Sequence, residues 1–296
     1  MPDPRRLLTF REVARRASFS RAAEALALTQ PAVSQQVAAL EREIGAALLR
    51  RGPGGLSLTE AGELLLGHAD ALSDRLRTAD AQLAELIGAR AASLQVGAFA
   101  SAMATIVPDA IAALRDREPD VAVETMEAGS DELAAHVRDG RLHVAVCFED
   151  AAAPPREHPE LRRHELAREP MDAGVGAGHP LARRRRIALS ALAGDVWTAP
   201  SRGHLVHRAC VAAGFEPRMA YVTRDPLAIR GLVAANLAVT LTPRLLAGQL
   251  AGVRTLRLTG DAPSRRLYAL TPTVGARPRA EWFVDALRAA ARERTR

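Results

Sequence analysis

Ser18 to Ile44 hold two short helical periods, separated by a break with room only for a turn, and this constrains the N-terminal part of the chain most tightly. The run reads SFSRAAEALALTQPAVSQQVAALEREI. Ala22, Ala23 and Leu26 give the first helix an apolar inner face, and Ser20 is expected at its N-cap. Leu28 and Thr29 form the turn. Thr29 is placed to cap the second helix, with Pro31 in its first turn, where a missing N–H costs nothing. Val33, Val37, Leu40 and Ile44 recur at spacings of four, three and four, so they face inward. Gln30, Ser34 and Gln35 are left outside, near the helix N-terminus. A helix lying in the major groove of DNA meets base edges with that part of its surface. Glutamine suits adenine, and serine suits either a donor or an acceptor.

Arg50 and Arg51 then lead into a GPGG turn (Gly52 to Gly55), a strand over Leu56 to Leu58, and Thr59. A turn and strand flanked by arginines are suited to touching phosphates. Spacing alone leaves an ordinary three-helix packing unit with a solvated outer face as an even alternative. The stretch resembles the N-terminal domain of LysR-type transcriptional regulators, through SF-S-x-AA-x-x-L, Q-P-A-V-S-x-x-V-x-x-LE-x-x-x-G-x-x-L, R and LT-x-AG. Leu49 stands where that family usually has an aromatic. The resemblance implies a winged helix-turn-helix (helices with a small β wing) over residues 1–62. Its contacts to double-stranded promoter DNA would come from Ser20, Arg21, Thr29, Gln30, Pro31, Ser34, Gln35, Arg50 and Arg51.

Charge distribution agrees with that expectation. The chain of 296 residues carries a net charge of +6, and residues 1–58 hold nine Arg against five acidic residues. The basic excess therefore concentrates where nucleic acid would be met. Every basic residue is Arg, which excludes a pyridoxal Schiff base and a Walker A loop, both of which need Lys. The same bias suggests a GC-rich bacterial genome. Cys147 and Cys210 lie far apart without metal-ligand spacing, so a reduced, cytoplasmic protein is expected, with no metal and no cofactor. No apolar run reaches membrane-spanning length, and MPDPRRLLTF lacks a signal peptide's apolar core.

Thr59 to Ile87 contains no proline. Leu65, Ala69, Leu72, Leu76, Ala79, Leu83 and Leu86 recur there in alternating steps of four and three, the heptad seam of a helix that pairs with another long helix. An amphipathic helix lying on its own domain is the alternative. Glu60 and Glu63 favour the helix N-terminus, and Gly88 is a plausible stop. The family resemblance makes residues 59–90 a linker helix that forms a homodimer, with a tetramer as the larger assembly.

From Ser93 the pattern alternates strand and helix. Strand-like runs cover Leu94–Ala98, Val121–Met126, His143–Cys147, Val196–Ala199, Met219–Val222, Ala238–Thr242, Val253–Leu258 and Leu267–Thr271. Such alternation predicts parallel sheets covered by helices, and this length suits two small sheets better than one. The segment GHPLARRRRIALSALAGDVWTAP resembles the same family, which often has an HPLA element. The resemblance implies a two-lobe effector domain like that of periplasmic binding proteins. One lobe would span 91–164 plus 267–296 and the other 165–266, with crossings near Glu165 and Arg265. The RRRR run, Arg183 to Arg186, reads as a solvated turn, with a second nucleic-acid patch as the lesser alternative.

Ligands of α/β sheets sit at the carboxyl ends of strands. Ser101, with Ala102 and Met103, follows the first strand of this half, and Ser130 is expected as an N-cap. Both hydroxyls would lie beside unpaired helix N–H groups, which suits an anion or a carboxylate. They match positions the family uses for small effectors. Cys147 and Phe148 would form the cleft wall, facing Ala199, Pro200, Ser201, Arg202 and Thr223. His143 stands where the family commonly has an acid, and Asn236 replaces a usual glycine in a place suited to a left-handed backbone.

A catalytic reading finds little support, because the eight His are scattered and HExxH, GxSxG and CxxC are all missing. A transport-type solute-binding protein would lack the winged helix. An architectural DNA binder needing no ligand is the remaining rival. The residues and the resemblance together point to an effector-responsive regulator of bacterial promoters, which would also meet RNA polymerase if it activates.

Overall fold

The computed structural model describes residues 3–52, 55–86, 93–273 and 277–295. It comprises two compact units, one built chiefly on Met1–Arg90 and the other on Ala91–Arg138 and Leu142–Arg296.

In the first unit α1 (Pro4–Arg16), α2 (Phe19–Ala25) and α3 (Gln30–Ile44) pack around Phe10, Val13, Ala22, Ala23, Val33, Val37, Leu40 and Leu48. Thr29 caps α3 by accepting from the Ala32 N–H, and Pro31 stands in the first turn. Ser20 is not the cap of α2. Ser18, in an extended backbone, accepts from the Arg21 N–H, which places Ser20 inside the first turn and exposed. Ile44 is also outside the core, at 36% exposure, because Gly45 ends the helix there in a left-handed turn.

The wing is a hairpin of β1 (Leu49–Gly52) and β2 (Gly55–Leu58), one strand more than expected. Pro53 and Gly54 of its tip lie outside the described residues. The family-like residues have local tasks here. Glu41 accepts from the Leu48 and Leu49 N–H groups at 2.7 and 3.2 Å, tying the wing to the end of α3. Thr59 donates to the Ala47 carbonyl and accepts from the Gly62 N–H. A Cβ at Gly62 would collide with the Leu48 carbonyl oxygen, so only glycine lets the next helix approach.

That helix, α4 (Glu60–Leu86), is a single rod as expected. Asp70 grips α1 through Arg11 Nε at 2.7 Å and through Arg15 Nε and Nη2 at 2.9 and 2.7 Å. Burial pushes the Asp70 carboxyl up, but the two guanidinium groups outweigh it and hold it below its ordinary value. Leu65 is half-buried against the winged-unit core, whereas Ala69 is fully buried within the single chain and so is not open to a second helix. Leu72 is half-buried, Ala79 is exposed, and Leu76 and Leu83 stand out at 48% and 60% exposure. Gly88 and the side chains of Arg51 and Leu86 fall outside the described residues.

The second unit is mixed rather than parallel. β3 (Ser93–Ala98) pairs in parallel with β4 (Ala122–Glu127) and β5 (Val144–Asp150). A 16-residue strand, β6 (Leu161–Gly176), was not expected, and neither was the two-residue β7 (Arg186–Ile187). The first part of β6 pairs with β12 (Ser264–Pro272). Its second part pairs with β10 (Thr240–Pro243) and β11 (Val253–Leu258). Eight strands therefore join into one hydrogen-bonded sheet through β6, rather than two separate sheets. β6 changes partners at Pro170 and Met171, later than the crossing expected near Glu165. A two-stranded sheet of β8 (Val196–Ala199) and β9 (Arg218–Val222) completes the second lobe.

Helices α6 (Ile106–Arg117) and α10 (Pro278–Thr295) cover one face of the first lobe, around Ile106, Phe283 and Leu287. α7 (Ser130–Arg138) covers the other face, around Leu133, Tyr268 and Leu270. Trp197, fully buried, centres the second lobe beside α8 (Leu205–Ala212). Asn236, at φ 58, takes the left-handed backbone expected of it, beyond α9 (Pro226–Ala234). The remaining helix, α5 (Ala100–Met103), is a single turn at the end of β3.

Candidate nucleic-acid interface and effector cleft

The apolar spacing of α3 turns Val33, Val37 and Leu40 inward, which leaves Gln30, Pro31 and Gln35 exposed and Ser34 half-buried on one surface. Thr29 and Arg21 are exposed beside them. Capping fixes the helix start, so these side chains project from rigid backbone. In the wing, Arg50 is exposed and its Nε donates to Ser57 Oγ at 3.1 Å, which aims the guanidinium along the hairpin.

In the second unit, a cavity of about 180 Å³ lies at the carboxyl ends of β3, β5, β8 and β10. Of the residues expected at an effector site, Ser101 and Phe148 line it, together with Pro200. The rest are elsewhere. Cys147 cannot share a wall with Phe148, because adjacent strand residues point to opposite faces. It is buried against Leu133 and Tyr268, and burial pushes its thiol up to about 12. The ring of His143 accepts from the Gln95 N–H at 3.1 Å. Ala102 and Met103 belong to the first lobe's core and Ala199 to the second lobe's. Arg202 is exposed, Ser201 is half-buried, and the Thr223 N–H donates to the Ala199 carbonyl.

Neither serine hydroxyl stands ready for an anion. Ser130 is the first residue of α7 rather than its cap, and its Oγ exchanges hydrogen bonds with the Phe148 N–H and carbonyl, both at 3.1 Å. Ser101 Oγ accepts from Arg265 Nη2 at 3.1 Å.

The strongest charges at the cavity were not anticipated. Arg265 and Glu169 are 5% and 0% exposed and form an ion pair, with Arg265 Nε donating to Glu169 Oε2 at 2.8 Å. The other Glu169 oxygen accepts from the Leu245 N–H at 2.8 Å. The guanidinium also lies 5.0 and 4.6 Å from the rings of Phe99 and Phe148. Arg244 and Asp172 repeat the pairing a few residues away at 3.0 Å. These partners come from β6 and from segments far along the chain, so no local pattern shows them. His204 lines the same cavity, and burial together with Arg265 and Arg208 pushes its imidazole down to about 4. It is therefore neutral at pH 7. Its Nδ1 accepts from the Val206 N–H at 3.4 Å, which leaves the proton on Nε2. Thr242 Oγ1 is buried on the wall without a hydrogen bond.

A second hollow of about 600 Å³, sharing no lining residue with the first, is bordered by Asp150, Arg168, Arg208 and Ser264. Asp150 and Arg208 bridge the two lobes there, at 2.9 and 3.0 Å. Beside them, Glu149 accepts from Arg163 at 2.7 Å, Arg266 at 2.8 Å and the Arg156 N–H at 2.9 Å. Burial pushes the Glu149 carboxyl up, but these donors outweigh it and bring it down to about 2. A folded-state value below the unfolded one stabilises above the ordinary carboxylate pKa of about 4.3, and the gain is lost as pH falls through it toward 2. Glu149→Gln is therefore expected to flatten the acid limb of the stability profile; an unchanged limb would show that this carboxylate contributes nothing.

A winged helix-turn-helix joined by a long helix to two α/β lobes around a small cavity is the build of a DNA-binding transcription regulator that answers to a small molecule. The family model described as "Bacterial regulatory helix-turn-helix protein, lysR family" matches residues 4–63, and "LysR substrate binding domain" matches residues 88–292. The chain is 28% identical over 267 residues to the Hca operon transcriptional activator HcaR of Escherichia coli, covering 88% of each. It is 30% identical over 246 residues to a probable hydrogen peroxide-inducible genes activator of Mycobacterium avium, covering 80% of this chain and 76% of that one. A crystal structure of full-length CbnR with its target DNA matches with a TM-score of 0.70 at 25% identity, over 97% of this chain and 99% of that one. The chain belongs to the LysR family of DNA-binding transcription regulators.

Proposed function

We propose that the chain acts as a cytoplasmic homodimer, able to assemble into a tetramer, whose paired winged units dock in successive major grooves of a promoter. Gln30, Pro31, Ser34 and Gln35 read bases, while Ser20, Arg21, Thr29, Arg50 and Arg51 hold phosphates. The exposed, capped face of α3 carries this reading. CbnR, solved with its target DNA, lends support from outside the chain. Among the described residues no helix is long and apolar enough to cross a membrane, which suits this location. The activity is regulatory and not enzymatic, works without cofactor or metal, and engages RNA polymerase where the protein activates.

The effector occupies the cavity beside Ser101, Phe148 and Arg265. Its apolar walls, including Met171, Leu241 and Leu246, favour an apolar body. His204 Nε2–H and Arg265 offer donors, so one acceptor group, a carboxylate included, completes the ligand. A molecule bound more tightly in one lobe arrangement shifts the population toward it. That shift alters half-site spacing or DNA bending.

Gln35→Ala tests the readout. Discrimination at one base pair is expected to fall by about 1–3 kcal/mol while affinity for random duplex stays constant. Equal losses on promoter and random DNA would remove Gln35 from base reading.

A further inference from the structure

We infer that the second lobe carries an additional, sequence-independent binding surface for the phosphodiester backbone of duplex DNA, centred on Arg183, Arg184, Arg185, Arg186, Arg254 and Arg257. Two segments far apart in the chain build it. β7 pairs in parallel with β11, with Arg257 opposite Arg186, so the RRRR run and the β11 arginines line one open hollow of about 530 Å³. The run is the exposed turn expected, and it leads into β7.

All six arginines are exposed, and among the described residues none of their guanidinium groups forms an ion pair or a side-chain hydrogen bond. Elsewhere in this unit arginines meet acids, as Arg163, Arg208, Arg244, Arg265 and Arg266 do. Six uncompensated positive charges around one hollow repel one another, and an external polyanion relieves that repulsion. The remaining lining is Ala182, Thr255 and Leu256. It offers no ring for a base to stack on and no carboxylate to read a sugar or base edge. Such a surface recognises charge alone, as backbone contacts to DNA do. DNA is already the partner of this family, so the proposal rests on that reading and adds a second point of attachment.

The test uses the full-length dimer and a promoter fragment defined by mapping its genomic binding sites. The fragment is taken long, and also cut back to the half-sites that the winged units cover. Two variants neutralise the surface from its separate segments: R183Q/R184Q/R185Q/R186Q and R254Q/R257Q. On the long fragment, the slope of log affinity against log salt is expected to become shallower by about 0.9 for each phosphate left without its arginine, at least one in each variant. Matching Arg→Lys variants should restore it, and the short fragment should show no change. An unchanged slope on the long fragment for either variant overturns the proposal, as does an equal change on the short one. Loss of inorganic tripolyphosphate binding with an intact slope would assign the surface to a small polyanion instead. Failure of DNA binding altogether would look different, because the wild-type chain itself would then show no salt-sensitive affinity.

Discussion

Glu169→Ala is expected to destabilise the effector half by about 3–5 kcal/mol, a loss typical of removing one partner from a buried ion pair. Arg265 would be left charged at 5% exposure, facing only Ser101 Oγ and two aromatic rings. The Leu245 N–H would be deprived of its acceptor as well. Both tryptophans, Trp197 and Trp282, belong to this half, so the fluorescence of a denaturant titration reports it without interference from the winged unit. Replacing both partners together, as in Glu169→Ala with Arg265→Met, should recover most of the loss, because no uncompensated charge remains. A single variant that unfolds at the wild-type midpoint would mean that water already reaches this pair. The pair sits where β6 passes from β12 to β10, so the same change should also loosen the passage between the lobes. Weaker effector response without weaker DNA binding is its functional signature.

The second large effect is expected from Leu76→Glu combined with Leu83→Glu. Both residues are exposed in the single chain, so the chain itself has little reason to unfold. In a paired seam, each dimer would bury four carboxylates without partners, and the association should be lost. Light scattering would then report monomers. Promoter affinity should fall by two to four orders of magnitude, the usual advantage of engaging two linked half-sites. A dimer of unchanged mass would move the pairing surface off this part of α4. Leu65 and Ala69 are poor choices for the experiment, because Leu65 packs on the winged-unit core, Ala69 is fully buried, and charges there would damage the fold.

The winged unit was almost wholly legible because its signals are local. Thr29, Pro31 and the Val33, Val37, Leu40 spacing act within a few residues, so reading them in order yields the helix and its exposed face. Misreadings there were small, such as Ser18 capping α2 two residues before the expected Ser20. β6 escaped notice because LRRHELAREPMDAGVG mixes charges and a proline into a strand. Its charged residues are satisfied by distant partners, among them Arg163 by Glu149 and Glu169 by Arg265. Read alone, they look like solvated loop. Cys147 and Ser130 were misassigned for a related cause, since strand direction and the backbone of Phe148 decide where those side chains point.

What the spacings determined unaided was the pair of short helices with their exposed face and the long rod, each written within two helical turns, while the winged reading head and the two-lobe class came from the family resemblance. Only the folded chain decided the charges at the cleft, the single sheet joined through β6 and the arginine hollow of the second lobe. Those features depend on segments separated by tens of residues, and burial and ion pairing between such segments acquire their energies only when the sheet brings them together.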